Sequence, residues 1–161
     1  MQVVYGDIWE YLADVICITT NGVVTKAGRG VMGGQGVALQ AKQRYPWIDA
    51  HLGRSLKQYG NHCVMWTGPY GSICYFPVKH HWRDRADLEL IKRSAEELAA
   101  IVARHPGAVF VLPRPGCGNG RLTWEEVEPV IRDILPDRVH VIDRRSGRPP
   151  APGDGAGAEE E

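Results

Sequence analysis

The chain has no excess of charge of either sign. Nineteen Lys and Arg residues balance 19 Asp and Glu residues. That balance gives no support for a broad nucleic-acid surface or a polybasic membrane anchor, and leaves room only for a local basic cleft. No apolar run approaches the roughly 18–20 residues needed to cross a bilayer. The opening Met1-Gln2-Val3-Val4-Tyr5-Gly6-Asp7 has no basic stretch followed by a hydrophobic one. The expectation is a cytoplasmic protein with no membrane partner, whose first residues form a strand. The four cysteines, Cys17, Cys63, Cys74 and Cys117, make no Cys-x-x-Cys pair and no compact zinc spacing. Three lie in apolar runs and read as reduced core thiols. Cys117 sits between two glycines with no base nearby in sequence to activate it. His80 and His81 lack a carboxylate or cysteine at helpful spacing, so neither a metal nor a cofactor is expected.

The 161 residues suffice for one domain with a sizeable core. Apolar strand-like runs cover Gln2 to Tyr5, Ala13 to Thr19, His62 to Thr67, Ile73 to Val78, Ala108 to Leu112 and Val139 to Ile142. Helical patterns run from Gly36 to just before Pro46, from Trp47 to Tyr59, from Asp87 to about Arg104, and from Thr123 to near Leu135. Leu88, Ile91, Ala95, Leu98 and Val102 give the third helix a buried face. Thr123 and Glu126 have capping-box spacing. Alternating strands and helices predict an α/β fold, a three-layer α/β/α sandwich around a central mixed sheet. Beyond Arg144 the composition turns to Pro, Gly, Ala and Glu, which buries too little surface to offset ordering. Residues 1–145 are therefore expected to form the domain and 146–161 a flexible tail.

Glycine is plentiful, and two segments concentrate it: Val31-Met32-Gly33-Gly34-Gln35-Gly36-Val37-Ala38 and Pro115-Gly116-Cys117-Gly118-Asn119-Gly120-Arg121. Each follows an apolar, strand-like run and leads into a helix-like stretch. Two such loops can bring backbone N–H groups and two helix N-termini to bear on one anion. In such folds ligands sit beyond the carboxyl ends of strands. A phosphate or pyrophosphate ligand is the first functional hypothesis. The first loop lacks the Gly-Lys-Ser/Thr ending of a nucleoside-triphosphatase loop, and it lacks Rossmann spacing. A plain structural glycine turn is the competing reading for both segments.

Asn21 follows the strand Val15 to Thr20. It is either a turn residue accepting a backbone bond or an amide able to grip ribose hydroxyls. Asp7 is either an N-cap for the turn at Ile8 or a carboxylate accepting from an adenine amino group. Lys79 closes the strand at Val78 and opens Lys79-His80-His81-Trp82-Arg83. Most lysines at strand ends are solvated surface groups. This one stands among imidazoles, an indole and arginines, a cluster suited to a ribosylated substrate whose opening sugar Lys79 could assist. Asp84 and Asp87 read as partners for Arg83 and Arg85, or as a cap. Tyr70, in the turn Gly68-Pro69-Tyr70-Gly71, could lie beside a ligand.

In this order the motifs resemble those of a macrodomain, from about Met1 to Asp143. Gly6-Asp7-Ile8 is similar to the family's opening motif, whose aspartate contacts adenine. Cys17-Ile18-Thr19-Thr20-Asn21 is similar to its strand ending in asparagine. Val31 to Ala38 and Gly116 to Gly120 are similar to its two phosphate loops. The resemblance implies binding of ADP-ribose through Asp7, Ile8, Asn21, Gly33, Gly34, Gln35, Gly36, Val37, Gly116, Cys117, Gly118, Asn119, Gly120 and Arg121. Phe76-Pro77-Val78-Lys79-His80-His81-Trp82-Arg83 resembles the branch that contains the terminal ADP-ribose glycohydrolase and the DNA ADP-ribosyl glycohydrolase antitoxin. That implies a catalytic role for Lys79, with His80, His81, Trp82 and Arg83 on the substrate side. Three departures leave the substrate open. Gly120 stands where the protein-directed hydrolase of this branch has a catalytic aspartate, Ile18 replaces an asparagine, and Val24 to Arg29 is an insertion. The chain is too short to include the antitoxin's further, toxin-binding domain.

The expected function is hydrolysis of the bond between ADP-ribose and a modified protein carboxylate or DNA base. Lysine amines have an ordinary pKa of about 10.4, so nucleophilic action requires a nearby cation or desolvation. The alternatives are a non-catalytic ADP-ribose reader and a module for another dinucleotide. A monomer is the default expectation.

Overall fold

A computed structural model describes residues 1–69 and 71–144. Tyr70 and the expected tail, 146–161, lie outside the described residues. Six strands run as β1 (Gln2–Tyr5), β2 (Val15–Asn21), β3 (Val64–Gly68), β4 (Gly71–Lys79), β5 (Phe110–Pro113) and β6 (Val139–Asp143). Four α-helices join them: α1 (Gly36–Arg44), α2 (Ile48–Tyr59), α3 (Leu88–Ala103) and α4 (Trp124–Ile131). The strands form one sheet in the order β1-β6-β5-β2-β4-β3. All neighbours are parallel except β3 and β4. This is the mixed central sheet expected from the alternation of elements.

Side-chain alternation along the strands divides the core into layers. Cys17, Cys74, Phe76, Phe110 and Leu112 join Ile91 and Leu98 of α3 and Val127 of α4 in one buried cluster. Ile18, Ile73 and Tyr75 join Ala38 and Ala41 of α1 and Ile48 and Leu52 of α2 in another. The helices thus cover both faces of the sheet, which explains why its central strands are nearly continuous in apolar residues.

The helix starts follow the local chemistry. Asp87 is the N-cap of α3, accepting from the Glu89 backbone N–H at 3.0 Å. Thr123 and Glu126 form both halves of the capping box of α4. Several strand and helix boundaries differ from the sequence reading by two residues or more, and two of them have a visible local setting. β2 starts at Val15 because Asp14 anchors to the chain before β5. Its N–H donates to the Val109 carbonyl at 2.8 Å, and its carboxylate accepts from the Val109 N–H at 2.8 Å. The α4 helix ends at Ile131, short of Leu135. There the chain tightens, and the Ile134 N–H donates to the Ile131 carbonyl at 3.1 Å.

The α2 helix lies close against the loop that carries the chain back from β2. A Cβ built on Gly53 meets the Gly28 carbonyl oxygen at 2.0 Å, a contact with rigid backbone. In an open helix, Gly→Ala gains up to about 1 kcal/mol. Here the overlap outweighs that gain, and Gly53→Ala is expected to destabilise the fold by about 1–3 kcal/mol. Urea unfolding checks this; a stabilised variant contradicts the packing of α2 on the loop.

Candidate functional site

Parallel pairing sends the carboxyl ends of β1, β6, β5, β2 and β4 to one edge of the sheet. Asn21 and Lys79 close neighbouring strands there and are register partners, with an irregularity between Thr20 and Asn21. Both are buried. Asn21 fulfils its turn role with both ends of its amide. Its Oδ1 accepts from the Val23 N–H at 3.1 Å, and its Nδ2 donates to the Val31 carbonyl at 2.9 Å. The first glycine segment is thereby tied to the end of β2.

Lys79 is only 3% exposed. Its Nζ donates to the Trp82 carbonyl at 3.4 Å, so the strap formed by residues 80–87 closes over it. The strap is fastened at several points. Gly22 N–H donates to the His80 carbonyl at 3.2 Å, Asp87 N–H to the Val78 carbonyl at 2.9 Å, and Ala86 N–H to the Gly120 carbonyl at 3.0 Å. His80 Nε2 and Asp87 Oδ2 are 2.8 Å apart and bridge its two ends. The hydrogen bond from His80, aided by the Glu89 and Leu90 N–H groups, holds the Asp87 carboxyl below its ordinary value, against a smaller opposing effect of burial. Of the two roles expected for Asp87, the cap is the one found, and the arginine partner is not. Asp87 takes His80, Arg85 pairs with Glu126 at 3.4 Å, and Arg83 stacks on Trp82 with its guanidinium carbon 5.0 Å from the ring centroid. His81 also packs on Trp82, at 5.2 Å between ring centroids. Trp82 remains 45% exposed, an aromatic and cationic surface on the strap that covers Lys79.

The two glycine segments differ in what surrounds them. At the first, the N-cap of α1 is Gln35, which makes no side-chain capping bond, and the first turn carries no acidic residue. A Cβ on Gly34 would meet nothing within 4 Å. The second segment is packed from within. A Cβ on Gly116 would stand 2.7 Å from Ile91 Cδ1 and 3.1 Å from Ala86 Cβ, and one on Gly120 would stand 3.0 Å from Ala86 Cβ. Gly118–Gly120 form a single 3-10 turn, and Arg121 follows with φ of 66°. Cys117 is half-buried beside it. Gly116 and Gly120 thus meet a packing demand of the strap and α3.

Asp7, Ile8 and Val37 come together at the ends of β1 and β6, around a narrow cavity of about 60 Å³. Asp7 caps the following turn as expected, its Oδ1 accepting from the Trp9 N–H at 2.9 Å. The cavity adds Gln40, Pro113 and Arg144, which the sequence did not single out. The spacing of Val37 and Gln40, one helical turn apart, was the available signal. Beside it, Arg114 pairs with Asp143 at 3.5 Å, and its guanidinium carbon lies 4.5 Å from the Trp124 ring centroid. A wider groove of about 480 Å³ lies elsewhere, between β3 and α3. Burial pushes the Cys63 thiol in that groove well up, which suppresses the thiolate there. Among the described residues no helix is long and apolar enough to cross a membrane, and no group of three or more His, Cys, Asp or Glu is arranged to hold a metal ion.

No family profile matches the chain. It is 33% identical over 152 residues to the DNA ADP-ribosyl glycohydrolase of Mycobacterium tuberculosis, covering 88% of this chain and 41% of that protein. Against the protein of the same name from Thermus aquaticus it is 32% identical over 143 residues, covering 84% of this chain and 38% of that one. The chain therefore spans about two fifths of the length of these curated relatives. The solved macrodomain of Mycobacterium tuberculosis DarG superimposes with a TM-score of 0.72 at 29% identity, covering 88% of this chain and 96% of that one.

The lowered carboxyl pKa of Asp87 fixes the sign of its pH dependence. The folded protein holds the carboxylate more firmly than the unfolded chain. The stabilisation is complete above the ordinary value of 3.8 and is lost as pH falls through the lower folded-state value. The stability difference between the wild type and Asp87→Ala is expected to narrow as pH falls below about 4. Urea unfolding across that range checks it; a difference that widens on acidification contradicts the pairing.

Proposed function

This chain belongs to the macrodomain family, and on that premise we propose that it is an ADP-ribosyl glycohydrolase with Lys79 as its catalytic residue. The bond broken joins the anomeric carbon of the distal ribose to an acceptor on a macromolecule. Water supplies the oxygen that replaces the acceptor, and the departing acceptor atom takes a proton. The open, uncapped start of α1 and the 116–121 loop hold the diphosphate through backbone N–H groups. Asp7 and Ile8 hold the adenine end. Asn21 has one amide hydrogen left after its bond to Val31, and it orients the distal ribose. Lys79 acts at the anomeric carbon, either directly or through a transient adduct with the opened sugar.

The observation that carries this reading is the pairing of Asn21 with Lys79 in a network that reaches both glycine segments. Asn21 bonds to Val31, and the strap that closes over Lys79 bonds to Gly120. Two features favour a DNA base as the acceptor. The two curated relatives are named as DNA-directed enzymes. The exposed Trp82 with Arg83 stacked on it offers a surface on which a base can stack. A second reading, a non-catalytic ADP-ribose reader, is favoured by the Trp82 carbonyl that caps Lys79.

Lys79→Ala is expected to bind ADP-ribose within about threefold of the wild type and to lose about 10²–10⁴-fold in single-turnover release. Calorimetry and release assays should be run side by side. The substrates are ADP-ribosylated thymidine in single-stranded DNA, modified glutamate or aspartate on protein, and modified serine or arginine. Undiminished release by the variant overturns the role of Lys79. ADP-ribose binding without release from any substrate establishes the reader.

A further inference from the structure

The cavity at the ends of β1 and β6 contains a side-chain amide whose orientation the structure settles. Gln40 Oε1 lies 2.7 Å from the indole Nε1 of Trp9. An indole N–H is a donor only, so the Gln40 atom facing it is the carbonyl oxygen. The NH2 group of Gln40 is left without a hydrogen-bond partner among the described residues, on a residue that lines the cavity with Asp7, Ile8 and Val37. Trp9 also fixes the other polar group there, because its backbone N–H engages Asp7 Oδ1 and leaves Oδ2 to accept from elsewhere. The indole is itself held in place. The Arg44 guanidinium carbon lies 4.4 Å from its ring centroid, and Tyr45 packs edge-on at 6.2 Å.

One tryptophan thus holds an acceptor and a donor on two residues that line the same cavity. An aminopurine edge carries the complement: an exocyclic amino donor beside a ring-nitrogen acceptor. We propose that Gln40 is a base-binding residue, donating to a ring nitrogen of the adenine while Asp7 accepts from the amino group, and that Trp9 is the positioning residue that locks the Gln40 amide. This rests on the ADP-ribose reading of the site and extends it to two residues outside the glycine segments. Without the indole N–H the amide is free to turn its oxygen inward, where it opposes a ring nitrogen.

The test uses the whole chain and four proteins: wild type, Trp9→Phe, Gln40→Leu and the double variant. Calorimetry reads Kd for ADP-ribose, for AMP and for ribose 5-phosphate. Each single variant is expected to weaken ADP-ribose and AMP about three- to tenfold, with ribose 5-phosphate unchanged. The Trp9→Phe effect is expected to vanish in the Gln40→Leu background, a coupling that a merely structural role of Trp9 does not produce. Wild-type affinity for ADP-ribose in Gln40→Leu, or equal Trp9→Phe losses with and without Gln40, overturns the proposal and leaves the ADP-ribose reading intact. A wild type that binds neither ADP-ribose nor AMP overturns both.

Discussion

The pairing of β2 with β4 governs the carboxyl edge of the sheet. It is parallel and in register from Val15↔Ser72 to Thr20↔Pro77, then shifts so that Asn21 faces Lys79. Pro77 has no N–H to give to the ladder, which accompanies the local irregularity. Had the strands continued in step, Asn21 would face Val78, and the amine would lie one residue further along. The shift therefore brings two buried polar side chains to adjacent strand ends.

Burying an amine there carries a desolvation cost unless the charge finds partners. The strap meets part of this demand by turning the Trp82 carbonyl back onto Nζ. A loop that folds back in this way must be held, and its bonds reach β2, β4 and the second glycine segment in turn. This explains why Gly116 and Gly120 lack side chains. Ala86 and Ile91 occupy the space where a Cβ would go. The strap, α3 and the 116–121 loop therefore form one packed unit.

Much of this was legible in the sequence. Helix starts were, because Asp87 and the Thr123–Glu126 pair carry their own local chemistry. The layer order was, because apolar strands and amphipathic helices alternate. Strand ends were less so, because Asp14 and Asn21 are settled by partners outside their own strand, Val109 and Val31. The closure of the strap over Lys79 was not legible, since a Lys-His-His-Trp-Arg run reads as an open polar cluster. Gln40 was missed for a related reason. On a helix, a glutamine among Gln, Lys and Arg looks like solvated surface, and only the position of Trp9 turns it toward a cavity.

The helix N-termini themselves supply a comparison inside one molecule. The first turns of α3 and α4 are satisfied by Asp87 and by the Thr123–Glu126 box, and both carry acidic residues. The α1 helix has neither a side-chain cap nor an acid in its first turn, while its last turn carries Lys42 and Arg44. Its positive N-terminal pole thus has neither of the local compensations that α3 and α4 have. Gly34, directly before the Gln35 cap, opens onto empty space, whereas Gly116 in the second segment is enclosed by protein. An uncapped, acid-free helix start behind an unobstructed glycine is the arrangement an incoming anion completes. In the proposed function both segments face the diphosphate, and the second also braces the strap that carries the substrate-side residues.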